Sequence, residues 1–193
     1  AFDRSGNGHD GTLVGGLNLA DMTAGLHREA LNFNGTTEYM RATGMGGNYT
    51  QYTILSAVSP DRTTGGNADQ NLYGFTVVSD GTILGSSPYP FWVTVRNGEV
   101  VARTFNTSNT GTVTAGGAIG NGEWSQIAVS SVKAGQSRIY VDGALMNTFN
   151  NPGNSANWLN GEFYVGEYRE AQGGTLARRS HMKHATDFIG WYN

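Results

Sequence analysis

Apolar and polar positions alternate in short bursts along almost the whole chain. EALNF (29–33) and EYMRA (38–42) flank NGTT, which reads as two strands joined through an Asn-Gly turn. YTILSAV (52–58) is nearly all apolar or β-branched, the mark of a deeply buried strand, and SPD at 59–61 ends it. LYGFTVVS (72–79) runs into Asp80-Gly81 and then TILGS, and FWVTV (91–95) turns at 96–98 into EVVARTF (99–105). WSQIAVSSV (124–132) is joined by KAGQ to SRIYV (137–141), which Asp142-Gly143 turns into ALMNTF (144–149). EFYVGEY (162–168) and TDFIGWY (186–192) complete about a dozen candidate strands. LARRSHMKHA (176–185) is the best helical candidate, and it is short. The stretches 63–70 and 106–123 read as long surface loops. Regular short strands with turns between them predict an all-β sandwich or barrel, with a single domain over 1–193.

Composition agrees with this reading. Glycine takes 29 of 193 positions but proline only 4, and the four Trp, nine Tyr and eight Phe are spread between the glycines. That pattern excludes collagen-like and disordered chains and suits many strands with tight turns. Only 14% of residues are charged, the net charge is −3, and the pI is about 5.7. No general affinity for nucleic acid or anionic membranes follows from such a balance. The absence of cysteine removes disulfides and thiolate metal sites. No apolar run approaches the roughly 18–20 residues of a membrane span, so no membrane insertion is expected. The chain opens on Ala1 without a leader or a starting Met, so we expect a processed chain or part of something longer.

The ordered motifs DRSGNGHDGTLVGG, LNFNGTTEYM, YTILSAVSP, GEWSQIAVS, RIYVDGALM, FYVGEY and TDFIGWYN together resemble the laminin-G-like, concanavalin A-like jelly rolls. Such domains occur in bacterial surface proteins, secreted glycosidases and phage structural proteins. The resemblance covers nearly the whole chain and is weaker from 60 to 118. It implies two antiparallel sheets packed face to face, a jelly-roll β-sandwich. Within that frame Trp124, Ile127 and Val129 read as inward-facing core, and Tyr140 and Phe149 as cross-strand packing.

The opening loop carries the first candidate chemistry. Asp3, Ser5, Asn7 and Gly8 match the first half of a calcium loop, oxygen ligands at alternate positions before a glycine bend. An EF-hand is excluded because its twelfth position is Val14. The family resemblance brings Asp187, on the closing strand, near this loop. Asp3, Asn7, Asp10 and Asp187 are therefore the candidate ligands of one structural Ca²⁺. The plainer alternative is a turn capped by its own Asp and Asn side chains. A phosphate cradle lacks the Lys-Ser/Thr signature and a following helix.

Catalysis finds little support in the residues. Glycosidases of this fold place paired acids on one strand face, whereas Glu162, Glu167 and Glu170 are five and three apart and alternate between faces. No Gln-x-His strand of the alginate-lyase type occurs. His181 and His184 could share a helical face but lack a third ligand, and all four histidines read as solvated. The chain is accordingly expected not to be an enzyme, with polysaccharide degradation as a remote alternative. The leading expectation is a binding or adhesion module on an extracellular, cell-surface or virion exterior. Its glycan would be a cell-surface or environmental polysaccharide gripped by loop residues Tyr89, Trp92, Asn157 and Trp158. The alternative is a phage virion domain of the decoration, head-fibre or tail-fibre kind, assembled with capsid or tail proteins and open to homo-oligomerisation.

Overall fold

The computed structural model describes residues 7–45, 51–61, 70–79, 82–83, 91–105, 111–132, 135–150, 161–172, 175–181 and 183–192. The strands are β1 Thr12–Val14, β2 Met22–Ala24, β3 Glu29–Asn34, β4 Tyr39–Ala42, β5 Gln51–Pro60, β6 Gln70–Ser79, β7 Thr82–Ile83, β8 Phe91–Arg96 and β9 Glu99–Phe105. They continue as β10 Gly111–Ala118, β11 Ser125–Val132, β12 Gln136–Val141, β13 Ala144–Asn150, β14 Gly161–Val165, β15 Glu167–Gln172, β16 Thr175–His181 and β17 Lys183–Tyr192. A 3₁₀ turn at Leu19–Asp21 is the sole helical element among the described residues. One sheet runs β1-β4-β14-β6-β8-β9-β10, with β7 paired to β6, and the other runs β13-β12-β11-β5-β17-β3-β2. β15 and β16 form a separate hairpin, and every pairing is antiparallel. This is the two-sheet jelly-roll β-sandwich expected from the sequence.

Period-two patterning explains which faces meet. On β11, Ser125, Ile127, Val129 and Ser131 are buried in alternation, and Ile127 and Val129 lie opposite Val141 and Ile139 on β12. With Phe33, Ile54 and Val58 they form the inner face of the seven-stranded sheet. Val93, Val95, Val100, Ala102, Phe163 and Val165 supply the facing layer. A polar row runs across three strands of this sheet: Tyr52 hydrogen-bonds Ser131, whose Oγ accepts from Ser137 Oγ at 2.9 Å. Burial pushes the Tyr52 hydroxyl above the ordinary phenol range, and the Ser131 bond acts in the opposite direction.

Two turns form as their residues dictate. Asn97-Gly98 (φ 51° and 84°) and Asp142-Gly143 (φ 50° and 80°) adopt the left-handed backbone that closes the β8–β9 and β12–β13 hairpins. The connection at Asp80-Gly81 lies outside the described residues, though Ser79 opposes Thr82 as that turn requires.

Three expectations are corrected. β3 and β4 are not a hairpin, because NGTT carries the chain from one sheet to the other. Asn34 Oδ1 accepts from the backbone N–H groups of Thr36 (2.8 Å), Thr37 (3.0 Å) and Glu38 (3.3 Å), and Glu38 Oε2 accepts from Asn34 N–H at 2.8 Å. That side-chain cap makes a corner wider than a two-residue turn. Second, the stretch 106–123 contains β10. Its glycines are packing contacts: a Cβ on Gly116 would come within 3.0 Å of Asn147 Cβ, so the edges of the two sheets close together there. Third, the described residues of 176–185 are extended and divided between β16 and β17, because β17 is pinned on both sides by β5 and β3.

Candidate functional site

The outer face of the seven-stranded sheet carries a groove built by register. Phe33 and Leu31 turn inward on β3, so Asn32 between them turns out. Asn32 lies opposite Ala185 on β17, and Ala185 lies opposite Ser59 on β5, which makes a cross-sheet row of small side chains. Thr23 and Ala24 on edge strand β2 bound one side, and Asn121, Gly122 and Trp124 bound the other. The rim is tied down: Gly122 N–H donates to Pro60 O at 2.6 Å and Ile119 N–H to Gly98 O at 2.8 Å. Gly122 has φ +72°, a backbone state that favours glycine. The resulting cavity holds about 420 Å³.

Its chemistry is neutral and polar. Thr23, Asn32, Ser59 and Asn121 offer hydroxyl and amide groups, and the half-buried Trp124 offers an aromatic surface. The carboxylate of Asp61 is matched: Lys183 Nζ lies 2.9 Å from Oδ2, and Asp61 N–H donates to Lys183 O at 2.8 Å. His184 also lines the groove yet is only 1% exposed, its ring stacked on Phe33 at 4.8 Å and 20°. It is therefore a core histidine, not a solvated one, and it shares no helical face with His181, which lies on β16. Trp124 also departs from expectation. Even spacing from Ile127 and Val129 selects Ser125 as the inward residue, so Trp124 falls outside that set and contributes to the groove wall.

Of the predicted glycan residues, Tyr89, Asn157 and Trp158 lie outside the described residues. Trp92 falls on β8 of the opposite sheet, in register with Gly74 and Arg103. Asn7 and Asp10 are exposed, and Asp3 lies outside the described residues. Asp187 stands at the β17 bulge, where Oδ2 accepts the His27 N–H at 2.5 Å. Among the described residues no three His, Asp or Glu side chains gather around a common point. Asp187 supplies a clasp between β17 and the β2–β3 turn. Asp187→Ala is expected to cost about 1–2 kcal/mol by freeing that amide, read as a lower melting temperature.

Of the acids considered for catalysis, the side chains of Glu162 and Glu167 are described and that of Glu170 lies outside the described residues. Glu162 accepts the Tyr164 hydroxyl through Oε2, and its Oε1 lies 3.8 Å from the guanidinium of Arg41. Glu167 is buried at the start of β15.

No protein-family model and no curated protein matches the sequence. Solved structures do match in fold. The binding domain of Paraclostridial Mosquitocidal Protein 1 gives a TM-score of 0.69 at 12% identity over 98% of this chain and 45% of that one. The receptor binding domain of a botulinum neurotoxin C/D mosaic serotype gives 0.67 at 9% identity, over 98% and 44%. A heptameric SAP-like pentraxin from Limulus polyphemus gives 0.59 at 12%, over 95% and 76%. The chain thus spans less than half the length of these toxin chains. At such identities the likeness is one of fold.

Proposed function

We propose that this chain is a non-catalytic binding module that holds a neutral sugar segment of a cell-surface or environmental polysaccharide in the groove beside Trp124, outside the cell. The observation that carries this reading is the lining itself. A half-buried indole stands with hydroxyl and amide groups from three strands and one loop, and the acid present is already paired. Sugars present apolar C–H faces that stack on aromatic rings and hydroxyls that both donate and accept, which is the mixture this groove offers. A volume of about 420 Å³ lies within the range of small-ligand sites. The toxin structures that share this fold are binding domains, which supports the coarser reading of a binding module.

The test is a glycan array followed by titration of the best neutral hit against the parent chain, Trp124→Ala and Asn32→Ala. Trp124→Ala is expected to weaken binding about tenfold or more, with the unfolding midpoint close to that of the parent. A parent that binds no glycan, or one whose binding survives both substitutions, overturns the reading. Loss in Trp92→Ala or Trp158→Ala with a silent Trp124→Ala would move the site to Tyr89, Trp92, Asn157 and Trp158.

A further inference from the structure

The outer face of the seven-stranded sheet carries a second feature besides the groove. Ile54, Ile127, Val129, Ile139 and Val141 turn inward, so Leu55, Ala128 and Tyr140, each one residue along, turn out. Register sets these side by side. Leu145 on β13 lies opposite Tyr140 on β12, Tyr140 opposite Ala128 on β11, Ala128 opposite Leu55 on β5, and Leu55 opposite Gly190 on β17. A Cβ on Gly190 would stand 2.8 Å from the Tyr192 ring, so that ring folds back over the end of the row. The result is an uncharged, largely apolar strip across five adjacent strands. Its two ends are the most open, with Leu145 54% and Tyr192 59% exposed. Single exposed apolar side chains are ordinary, but a contiguous strip marks a contact surface.

Charge flanks the strip with opposite sign on its two sides. Arg138, two residues before Tyr140, is exposed and shares a row with Ser130 and Thr53. Asp142, two residues after Tyr140, is exposed and stands beside Gln126, whose N–H donates to Asp142 Oδ1 at 2.8 Å. Consider two copies stacked by this face, with a two-fold axis lying along the strip. Such an operation keeps each strip residue over its own counterpart and reverses the strand direction. Tyr140 then meets Tyr140 of the second copy, and Leu55 meets Leu55. The Arg138 row falls on the Asp142 row, so Arg138 of each copy faces Asp142 of the other, and Ser130 faces Gln126. The face is complementary to itself in apolar surface and in charge.

We propose that this strip is a dimer interface between two copies of the chain, stacked outer face to outer face, with Arg138–Asp142 pairs closing both sides. A net charge of −3 opposes such association only weakly. The strip spans about 20 Å from β13 to β17, a small interface for which a dissociation constant in the micromolar range is expected. The association needs no glycan, so it stands apart from the groove reading.

Sedimentation velocity of the intact chain, without ligand, from about 1 to 200 µM tests the proposal. A concentration-dependent shift from monomer to dimer is expected. Leu145→Glu and Arg138→Glu each alter an exposed side chain and are expected to weaken the dimer about tenfold or more. Leu19→Glu, at a residue 81% exposed on the 3₁₀ turn, is expected to dimerise as the parent does. Asp142→Lys should weaken the dimer as Arg138→Glu does, with circular dichroism confirming the fold. Asp142→Asn, which suits the left-handed turn, gives a milder loss and serves as the charge test if the lysine variant does not fold. Mixing Arg138→Glu with Asp142→Lys restores opposite charges in both pairs, so a heterodimer is expected from two chains that associate poorly alone. A parent that stays monomeric throughout, a Leu145→Glu variant that dimerises like the parent, or folded charge variants that fail to associate when mixed would overturn the proposal.

Discussion

Gly15→Ala is expected to lower the melting temperature by about 6–12 °C, a loss near 3 kcal/mol for a chain of this size. The reason is backbone against backbone. A Cβ at Gly15 would stand 1.9 Å from the carbonyl oxygen of Thr37 and 2.6 Å from its carbon, and φ is +82°. No side-chain rotation relieves a clash with a carbonyl. The partner also cannot retreat easily, because Thr37 belongs to the corner capped by Asn34. Gly16 supplies the internal control: its φ is +99°, yet nothing lies within 4 Å of a Cβ placed there. Gly16→Ala should therefore show the left-handed backbone cost alone, about 1–2 kcal/mol. Differential scanning calorimetry of the two variants separates strain from collision. Equal midpoints would show that the β1 turn does not rest on the sheet-to-sheet corner.

Phe33→Ala is expected to destabilise by about 3–5 kcal/mol. Phe33 is 1% exposed, stacks on His184, and receives the Gly166 backbone against its ring. One side chain thus joins β3, β17 and the departure point of β15. Removing it leaves a cavity under three elements and strips the packed face from a buried imidazole. Phe33→Leu, which keeps most of the volume, should lose less. Urea unfolding provides the measurement, with a lower midpoint at an unchanged slope as the expected outcome. A loss below about 1 kcal/mol for the alanine variant would show that the site collapses around the gap.

These positions also mark what the sequence could and could not reveal. The Asn97-Gly98 and Asp142-Gly143 hairpins were legible because the turn residues and the strands they join are neighbours in the chain. β10 was hidden because GTVTAGGA has the composition of a loop. Its role appears only when the other sheet edge comes close enough to require small residues. The stretch 176–185 carries a three-to-four spacing by chance, and competition from two flanking strands overrides it. The groove was the least visible feature. Asn32, Ala185 and Ser59 are far apart in sequence and become neighbours through register alone. For Trp124 a single-residue step separates the inner face from the outer, so attaching it to Ile127 and Val129 assigned it to the wrong side.

The position of β17 between β5 and β3 bears on how the molecule is made. During translation both neighbours emerge long before the strand that must separate them. Until β17 leaves the ribosome, each exposes a row of unsatisfied amides and carbonyls along a largely apolar ribbon, a template for pairing with other nascent chains. Expression should therefore depend on holdase chaperones during synthesis, and truncation before residue 183 should yield insoluble product, not a smaller folded core.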